Sequence, residues 1–588
     1  SDTVPNHLAA RESLVLLDNC EHVIAAAAGV AEALLRRCPR VHVVALSREP
    51  LGVYGELTWR LPSLRHEEAV ALFQQRARLA SPLAAIGPEQ TVGALVDRLD
   101  RLPLAIELAA ARVPVLTPDE ILARLDDAFS LLTGGARTAP PRQQTLAATV
   151  DWSYDLLEPA QRRLFDRLSV FAGGFDLEAT EAVGDGSALH LLAALVDRSL
   201  VVAEPQGEIT RYRLLEILRQ YGRARLAESG DVEAVRRRHA LHFLEVAQRM
   251  DRQLRLGGRS RWLPRLRQEQ ENFQVALEWA ASAPGDVGLR LATHLARFWT
   301  QEGWAAEGSA WIERMLPVGT DDPSLLATAL HRAGELAYLQ GDYGTAWSRL
   351  EASLAIKQQL GDGPGAARRL NLLSIIASAR GEHETAGRLG ARALEIFRGL
   401  DDARGVGWAN LSLGYAALLA DDRAAASTCF QQAMTIHRGL DDPLGTVYDL
   451  SGLIWLDLEA GSVEGARAKI REGVAVLQRH QSIAGERGWL LGGMVLAETE
   501  GRNQAALRLA GAIDATERGG LHMMAAIRAR YQPHVDRARR SVGEPEAGRL
   551  MVEGAAMAVD ELVQEVLGDG ARAGGARTAG ARRSQPAG

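Results

Sequence analysis

A forty-residue period governs more than a third of this 588-residue chain. Gly341, Gly381, Asp421, Gly461 and Gly501 recur at intervals of 40, and Ala346, Ala386, Ala426, Ala466 and Ala506 keep the same step five positions later. Leu354, Leu394, Met434 and Val474 follow in phase, as do Ile356, Ile396, Ile436 and Val476. A second turn recurs inside three units, as Leu360-Gly361-Asp362, Leu400-Asp401-Asp402 and Leu440-Asp441-Asp442. Each unit reads as two helices and two turns: small residues let the paired helices approach, and Gly or Asp suits a helix-ending turn. One such unit cannot bury its apolar face alone, so the units are expected to stack into a solenoid.

This period and its turn-plus-alanine pattern resemble tetratricopeptide repeats with an extended unit, over residues 321–566. Before them, residues 235–320 read as a helical lead-in, where Trp262, Trp279, Trp299, Trp304 and Trp311 are expected to wedge helices apart. After them, residues 567–588 are rich in Gly, Ala and Arg and are expected to be a disordered tail.

The N-terminal third has another rhythm. Ser13 to Leu17 is a short apolar run ending at Asp18, Val41 to Ser47 is a second, and Leu57 to Leu61 a weaker third; a helical stretch, Val23 to Arg37, separates the first two. Continuous apolar runs joined by helices imply a parallel sheet buried on both faces. Residues 1–64 are therefore read as the C-terminal half of a doubly wound α/β domain, whose ligands sit beyond the carboxyl ends of the strands. Asp18 and Arg48 both fall there. Residues 65–132 read as a helical domain containing Leu102-Pro103-Leu104-Ala105, and residues 133–144 as a Gly/Pro/Arg linker. Over 145–230 the order is three helices, a hairpin around Gly207 and a helix, which resembles a winged helix. The expected fold class is mainly α: a partial α/β domain, a helical domain, a winged helix and an α-solenoid.

Composition narrows the function. A net charge of -7 argues against a chain that coats nucleic acid. No apolar run approaches the roughly 18 residues of a membrane span, and no charged-then-apolar leader opens the sequence. Cys20, Cys38 and Cys429 lack metal-ligand spacing, which fits a reducing cytosol, so the expected location is cytoplasmic. Of 67 basic residues only Lys357 and Lys469 are lysines, a skew that matters for phosphate binding.

An acid at a strand's carboxyl end suits Mg²⁺, which prefers oxygen ligands and bridges nucleotide phosphates. Taken alone, Leu14-Val15-Leu16-Leu17-Asp18 equally fits a strand followed by a helix-starting Asp-Asn. Its company is more specific. Asp18-Asn19-Cys20-Glu21-His22, Ser47-Arg48-Glu49-Pro50-Leu51 and Arg101-Leu102-Pro103-Leu104-Ala105-Ile106-Glu107 occur in that order. Thr149-Val150-Asp151-Trp152-Ser153-Tyr154-Asp155, Phe171-Ala172-Gly173-Gly174-Phe175 and Arg211-Tyr212-Arg213-Leu214-Leu215-Glu216 continue it. Together they resemble STAND-class, NB-ARC-type ATPase regulators of the actinobacterial antibiotic-regulatory-protein and LuxR-type families, over nearly the whole chain.

The resemblance implies ATP or ADP with Mg²⁺ as cofactor. Asp18 would hold the metal, Arg48 would sense the terminal phosphate, and Leu102 and Pro103 would lie against the adenine. Asn19 stands where many relatives place a second acid, which leaves Glu21 as the candidate catalytic base, and Arg101 replaces the usual Gly. It also implies a nucleotide-controlled switch in transcriptional regulation, with a protein or peptide bound on the repeats and self-association as a further mode. A phosphate-binding loop needs glycines and a lysine, and no lysine precedes Lys357. A longer parent protein carrying that loop, and any weak ATPase activity, is therefore expected. The competing reading is a nucleotide-independent tetratricopeptide-type scaffold with an NTPase remnant.

A winged helix contains a helix-turn-helix, but the candidate recognition helix, Ser187 to Arg198, is mostly apolar and suits packing better than phosphate contact. Direct DNA binding by this chain is not expected. Arg236-Arg237-Arg238-His239 is expected to be a solvated helix face.

Overall fold

Seven successive helices of the repeat array end in the same way, and that ending sets the architecture. In the structure, a computed structural model, the helices Pro323–Leu339, Tyr343–Gln359, Gly363–Ala379, His383–Gly399, Ala403–Leu419, Arg423–Gly439 and Pro443–Glu459 are each 17 residues long and start at twenty-residue steps. Three residues join each to the next. The middle one is left-handed: Gly341, Gly361, Gly381 and Gly461 at φ 78°, 68°, 79° and 72°, and Asp401, Asp421 and Asp441 at 53°, 60° and 50°. The third then donates its N–H to a carbonyl five residues back, as Asp342 to Ala337, Asp402 to Phe397 and Asp442 to His437, which closes the preceding helix.

The same aspartate caps the helix that follows. Carboxylates of Asp342, Asp362, Asp402, Asp422 and Asp442 accept from the backbone N–H of Thr345, Gly365, Gly405, Ala425 and Gly445 at 3.0, 2.7, 2.9, 3.0 and 3.1 Å. The backbone therefore repeats every twenty residues. The sequence repeats every forty because alternate helices bury different faces: Ala346, Ala386, Ala426 and Ala466 are fully buried on the second helix of each pair.

The described residues are 8, 11–18, 20, 23–47, 49–59, 61–81, 87–125, 146–184, 186, 188–207, 209–255, 259–480, 486–518 and 525–568. Linker 133–144 and tail residues 569–588 lie outside them. The chain divides into two compact units, Ser1–His242 with Gln268–Ala276, and Phe243–Arg267 with Leu277–Gly588. Besides the array, the second unit contains Val287–Glu302 and Ala305–Met315, where Trp299 is buried as expected of a wedge. Beyond Val463–His480 the helices lose their uniform length, as Glu486–Thr499, Asn503–Arg518, Ala525–Val542, Glu544–Ala556 and Val559–Leu567.

In the first unit, strands β1 (Ser13–Leu17) and β2 (Val41–Ala45) pair in parallel, Ser13 opposite Val41 through Leu17 opposite Ala45. The helix Ile24–Arg37 connects them, and its Leu34 packs with Cys38, Val41, Val15 and Val43. On the opposite face Leu14, Leu16 and Val44 are exposed. The expected third strand does not form: residues 51–59 are irregular, and Leu57, Trp59 and Leu61 are exposed. An apolar run without a neighbouring strand has nothing to pair with.

Helices His66–Ala80, Glu89–Arg98, Pro103–Ala110 and Pro118–Ala123 follow. The winged helix then consists of Leu146–Asp155, Pro159–Leu168, Leu177–Val183, Leu189–Asp197, strands β3 (Val202–Gln206) and β4 (Ile209–Arg213), and Glu216–Ser229. Phe175 bridges Tyr212 and extends the β3–β4 hairpin on its other side. The expected strand at Leu200 begins only at Val202, because Ser199 is left-handed (φ 58°) and Leu200 and Val201 turn into the core. The fold is mainly α, with few strands, a winged helix and a tetratricopeptide-like solenoid.

Inside the array, two positions twelve residues apart face each other in successive pairs. They are Phe397 and Ala409 in one, and His437 and Asp449 in the next, with Nδ1 of His437 2.7 Å from the Asp449 carboxylate and both side chains fully buried. Burial pushes the Asp449 carboxyl up to about 6, against the pull of His437. Gly405 and Gly445 make room for the two rings, since a Cβ would come within 2.2 and 2.5 Å of them.

Two outcomes follow for thermal and urea unfolding. Asp401→Gly should stabilise the array by about 0.5–1 kcal/mol, because a left-handed residue with a Cβ is replaced by one without. Removing one partner of the buried pair, His437→Phe or Asp449→Ala, should cost roughly 3–5 kcal/mol. The double substitution, which reproduces the Phe397–Ala409 chemistry, should return to within about 1 kcal/mol of the parent.

Candidate functional site

Strand pairing fixes one edge of the site. Because Leu17 lies opposite Ala45, the residues that follow each strand emerge at the same end of the sheet. Leu46 N–H donates to Leu17 O at 2.7 Å, and Cys20 N–H to Leu46 O at 3.1 Å, tying the two exits together. Asp18 and Ser47, which follow the two strands, are both exposed. The helix Ile24–Arg37 has Val23 at its N-cap, so Asp18 does not cap it. Arg48, Asn19 and Glu21 lie outside the described residues. Glu49, next to Arg48, is 3.6 Å from Arg198 at the end of the helix Leu189–Asp197.

A second part of the site is the turn before Pro103. Helix Glu89–Arg98 ends with Asp100 and Arg101 both left-handed, at φ 52° and 55°, and Arg101 N–H returns to Val96 O. Leu102 is the N-cap of the next helix and Pro103 its first residue, where a missing N–H has no cost. The positive φ of Arg101 gives a physical reason for glycine at this place in the pattern. Leu102 is half-buried and Pro103 exposed. Among the described residues no hydrogen bond joins this turn to Asp18.

What the turn does hold is the winged helix. The Asp100 carboxylate accepts from Glu216 N–H at 2.5 Å, at the start of the helix Glu216–Ser229, with Arg213 3.6 Å away. A carboxylate at a helix N-terminus meets unpaired N–H groups and the positive end of the dipole. Burial pushes this carboxyl above its usual range, and the Glu216 amide and Arg213 oppose that shift. Gln220, one turn on, donates to Leu125 O at 2.9 Å. Asp100 carries no role in the sequence reading, although it directly precedes the Arg101-Leu102-Pro103 motif.

The remaining motifs turn out to be the winged helix's own fastenings. Arg211 forms a buried ion pair with Glu269, and Asn272 takes Ala172 N–H at 2.9 Å while donating to Gly174 O at 2.8 Å and to Glu269 at 3.0 Å. Tyr221 donates to Asp151 at 2.6 Å and Tyr154 to Asp166 at 3.0 Å, with Arg225 5.0 Å from the centre of the Tyr221 ring. Burial raises Asp166 to about 6 and Tyr154 to about 12. The basic run is only partly a solvated face: Arg236 and Arg237 are exposed, but Arg238 donates to Val183 O at 3.3 Å. His239 is buried against Phe171 and lowered by burial to about 3. Its periodicity on the helix Val232–Arg255 places it one residue past the exposed face.

These features define a winged-helix protein with a tetratricopeptide-type array. Residues 157–227 match the winged helix-turn-helix domain family, and residues 325–399 match the tetratricopeptide repeat family. Among individual relatives, the chain is 36% identical over 421 residues to a Mycobacterium tuberculosis protein provisionally named an HTH-type transcriptional regulator, covering 68% of this chain and 47% of that one. It is 45% identical over 245 residues to an uncharacterized M. tuberculosis protein (40% of this chain, 62% of the other). It is 31% identical over 249 residues to the regulatory protein AfsR of Streptomyces griseus (40% and 23%). The chain thus spans about half the length of the first of these relatives. Among solved structures, a STAND protein with a tetratricopeptide repeat sensor from Pyrococcus horikoshii aligns over 96% of this chain and 84% of that one, at 14% identity and a TM-score of 0.38. A score that low carries no weight for function.

No helix among the described residues is long and apolar enough to cross a membrane, and no group of three metal-ligating side chains gathers there.

If Asp100 anchors the winged helix, Asp100→Ala should speed amide exchange at Glu216 and Ile217 at least tenfold in hydrogen–deuterium exchange. The array should be unaffected, and unchanged exchange at those two amides would remove the anchor.

Proposed function

We propose that this chain is the switch and partner-binding portion of a transcriptional regulator whose state is set by bound ATP or ADP. The observation that carries the proposal is the Asp100 anchor. The turn that presents Leu102 and Pro103 is the same turn that holds the N-terminus of the helix Glu216–Ser229. A nucleotide that reshapes this turn changes the hold on the winged helix, and a ligand shifts a conformational equilibrium only through such differential contacts.

In this reading Leu102 and Pro103 form the apolar bed for adenine, Asp18 supplies an oxygen ligand to Mg²⁺, and Arg48 meets the terminal phosphate. Glu21 is the candidate base for any hydrolysis. The fit to Mg²⁺ is partial but chemically apt, because Asp18 is an exposed carboxylate. Mg²⁺ commonly takes one or two carboxylates and completes its shell with phosphate and water oxygens. The open face of β1 and β2 also favours an α/β domain with further cover, since a parallel sheet is normally buried on both sides and Leu14, Leu16 and Val44 are bare.

The winged helix acts here as an internal clamp. On its helix Leu189–Asp197, residues Leu189, His190, Ala193 and Asp197 face outward, and none is an arginine or lysine, the charged side chains that dominate phosphate contact. A link to transcription comes from the relatives' names. The array supplies the surface for a protein or peptide partner, as its repeat architecture suits.

Titrating Mg²⁺–ADP into the chain while following hydrogen–deuterium exchange tests this directly. Protection should develop around residues 100–104 together with altered exchange at 214–220, and Asp18→Ala should weaken ADP binding at least tenfold. Exchange that ADP leaves unchanged throughout would sink nucleotide control of this chain and leave the scaffold reading.

A further inference from the structure

The left-handed turn inside a helix pair is glycine at Gly341, Gly381, Gly461 and Gly501, but aspartate at Asp421, with φ 60°. A side chain in this conformation is strained, and such strain persists where the residue is put to use. The Asp421 carboxylate meets Arg530 at 2.7 Å, from the helix Ala525–Val542. The same guanidinium donates to Leu418 O at 2.9 Å and pairs with Glu459, which Arg423 also approaches at 3.1 Å.

Leu418, Glu459 and Glu498 lie in the last turns of three successive first helices, Ala403–Leu419, Pro443–Glu459 and Glu486–Thr499. Unpaired carbonyls give each of these ends a partial negative charge. The helix Ala525–Val542 lays Arg530, His534 and Arg537 across them. Nδ1 of His534 is 2.7 Å from Glu498, and Arg537 reaches Glu498 through Nε at 2.8 Å and Nη2 at 2.9 Å. Seven helical residues advance about 10.5 Å, close to the roughly 8–10 Å between packed helices, so the two arginines fall one helix end apart.

Pro533 interrupts this helix between its two attachments. It has no N–H to return to Ala529 O, and its ring crowds that carbonyl, so the helix is weakest there. Just before it Tyr531 is buried, and its hydroxyl meets no partner among the described residues. Ile527 packs against the same apolar cluster as Tyr531. Closure therefore sets the contacts of Arg530 and the covered apolar surface against an unpartnered hydroxyl and a missing helical bond. We propose that the part of this helix before Pro533 is a flap that opens about that residue, with Arg530 as its latch and Asp421 and Glu459 as the catch. Glu498 holds His534 and Arg537, and with them the rest of the helix, in place as the flap moves. Opening bares Ile527 and Tyr531, so the flap conceals an apolar surface at this end of the array and releases it when the latch weakens.

Hydrogen–deuterium exchange of the intact chain tests the flap. Amides 529–532 lie within it, and amides 534–536 return to carbonyls of residues 530–532, so both sets report opening. Arg530→Gln should speed them at least tenfold and leave amides 537–542 unchanged. In the parent chain, raising salt from about 0.05 to 0.5 M should speed the same amides several-fold. Pro533→Ala, which restores the missing N–H, and Tyr531→Phe, which removes the unpartnered hydroxyl, should each slow them about threefold. Asp421→Gly separates the catch from the turn: it should speed the flap about threefold without lowering the melting temperature. Exchange indifferent to Arg530→Gln and to salt, or rising equally over 529–536 and 537–542, would overturn the flap. A flap unmoved or slowed by Asp421→Gly would overturn the role of Asp421 as catch.

Discussion

The left-handed residue that ends a helix is the constraint on which most of this structure depends. It stops one helix, sends the next N–H back to an unpaired carbonyl, and leaves the following residue placed to begin another helix. Gly341 to Gly461 do this through the array, Gly303 does it before Trp304, and Asp100 and Arg101 do it before Leu102. Where the residue is glycine the turn is unstrained. At Asp401, Asp421, Asp441 and Arg101 a Cβ is tolerated because the surrounding hydrogen bonds over-determine the backbone.

With the backbone so regular, variety moves to the side chains between helices. Equivalent positions hold an apolar pair at Phe397 and Ala409 and a polar pair at His437 and Asp449. The two solutions fill similar volume with different chemistry. A buried polar pair contributes little to stability over an apolar one, yet it strongly penalises mismatched neighbours. The same logic applies to the winged helix, where Asn272 satisfies the backbone of Ala172 and Gly174 and Glu269 neutralises Arg211. Those contacts and their neighbours tie Phe171, Ala172, Gly174, Phe175, Arg211, Tyr212 and Arg213 to partners outside their own segments.

The array was legible because its period is written in residue types that physics restricts, glycine or aspartate at positive φ and alanine at close approach. Hairpin and helices of the winged domain were legible for similar reasons. What escaped was anything set by neighbours distant in sequence. The Leu57–Leu61 run is apolar enough for a strand but has none to pair with, and His239 follows three arginines into the core because the helix rotates it there. Nothing in the sequence singles out Asp100; its partner is the helix Glu216–Ser229, more than a hundred residues later. At the candidate nucleotide site, sequence order placed Asp18 at the strand end, and the fold adds the connection of the Leu102 turn to the winged helix.

The three-residue link also limits how such a protein can change length. It contains no slack: the first residue ends the helix, the second turns, and the third both closes that helix and, where it is aspartate, caps the next. A single inserted residue would have to enter a helix, where it rotates everything beyond it by about 100° and carries the fully buried alanines Ala386, Ala426 and Ala466 off their contacts. Whole pairs of helices can be added or lost at much smaller cost, because each brings its own turn and cap. The array is therefore built to lengthen in steps of forty residues.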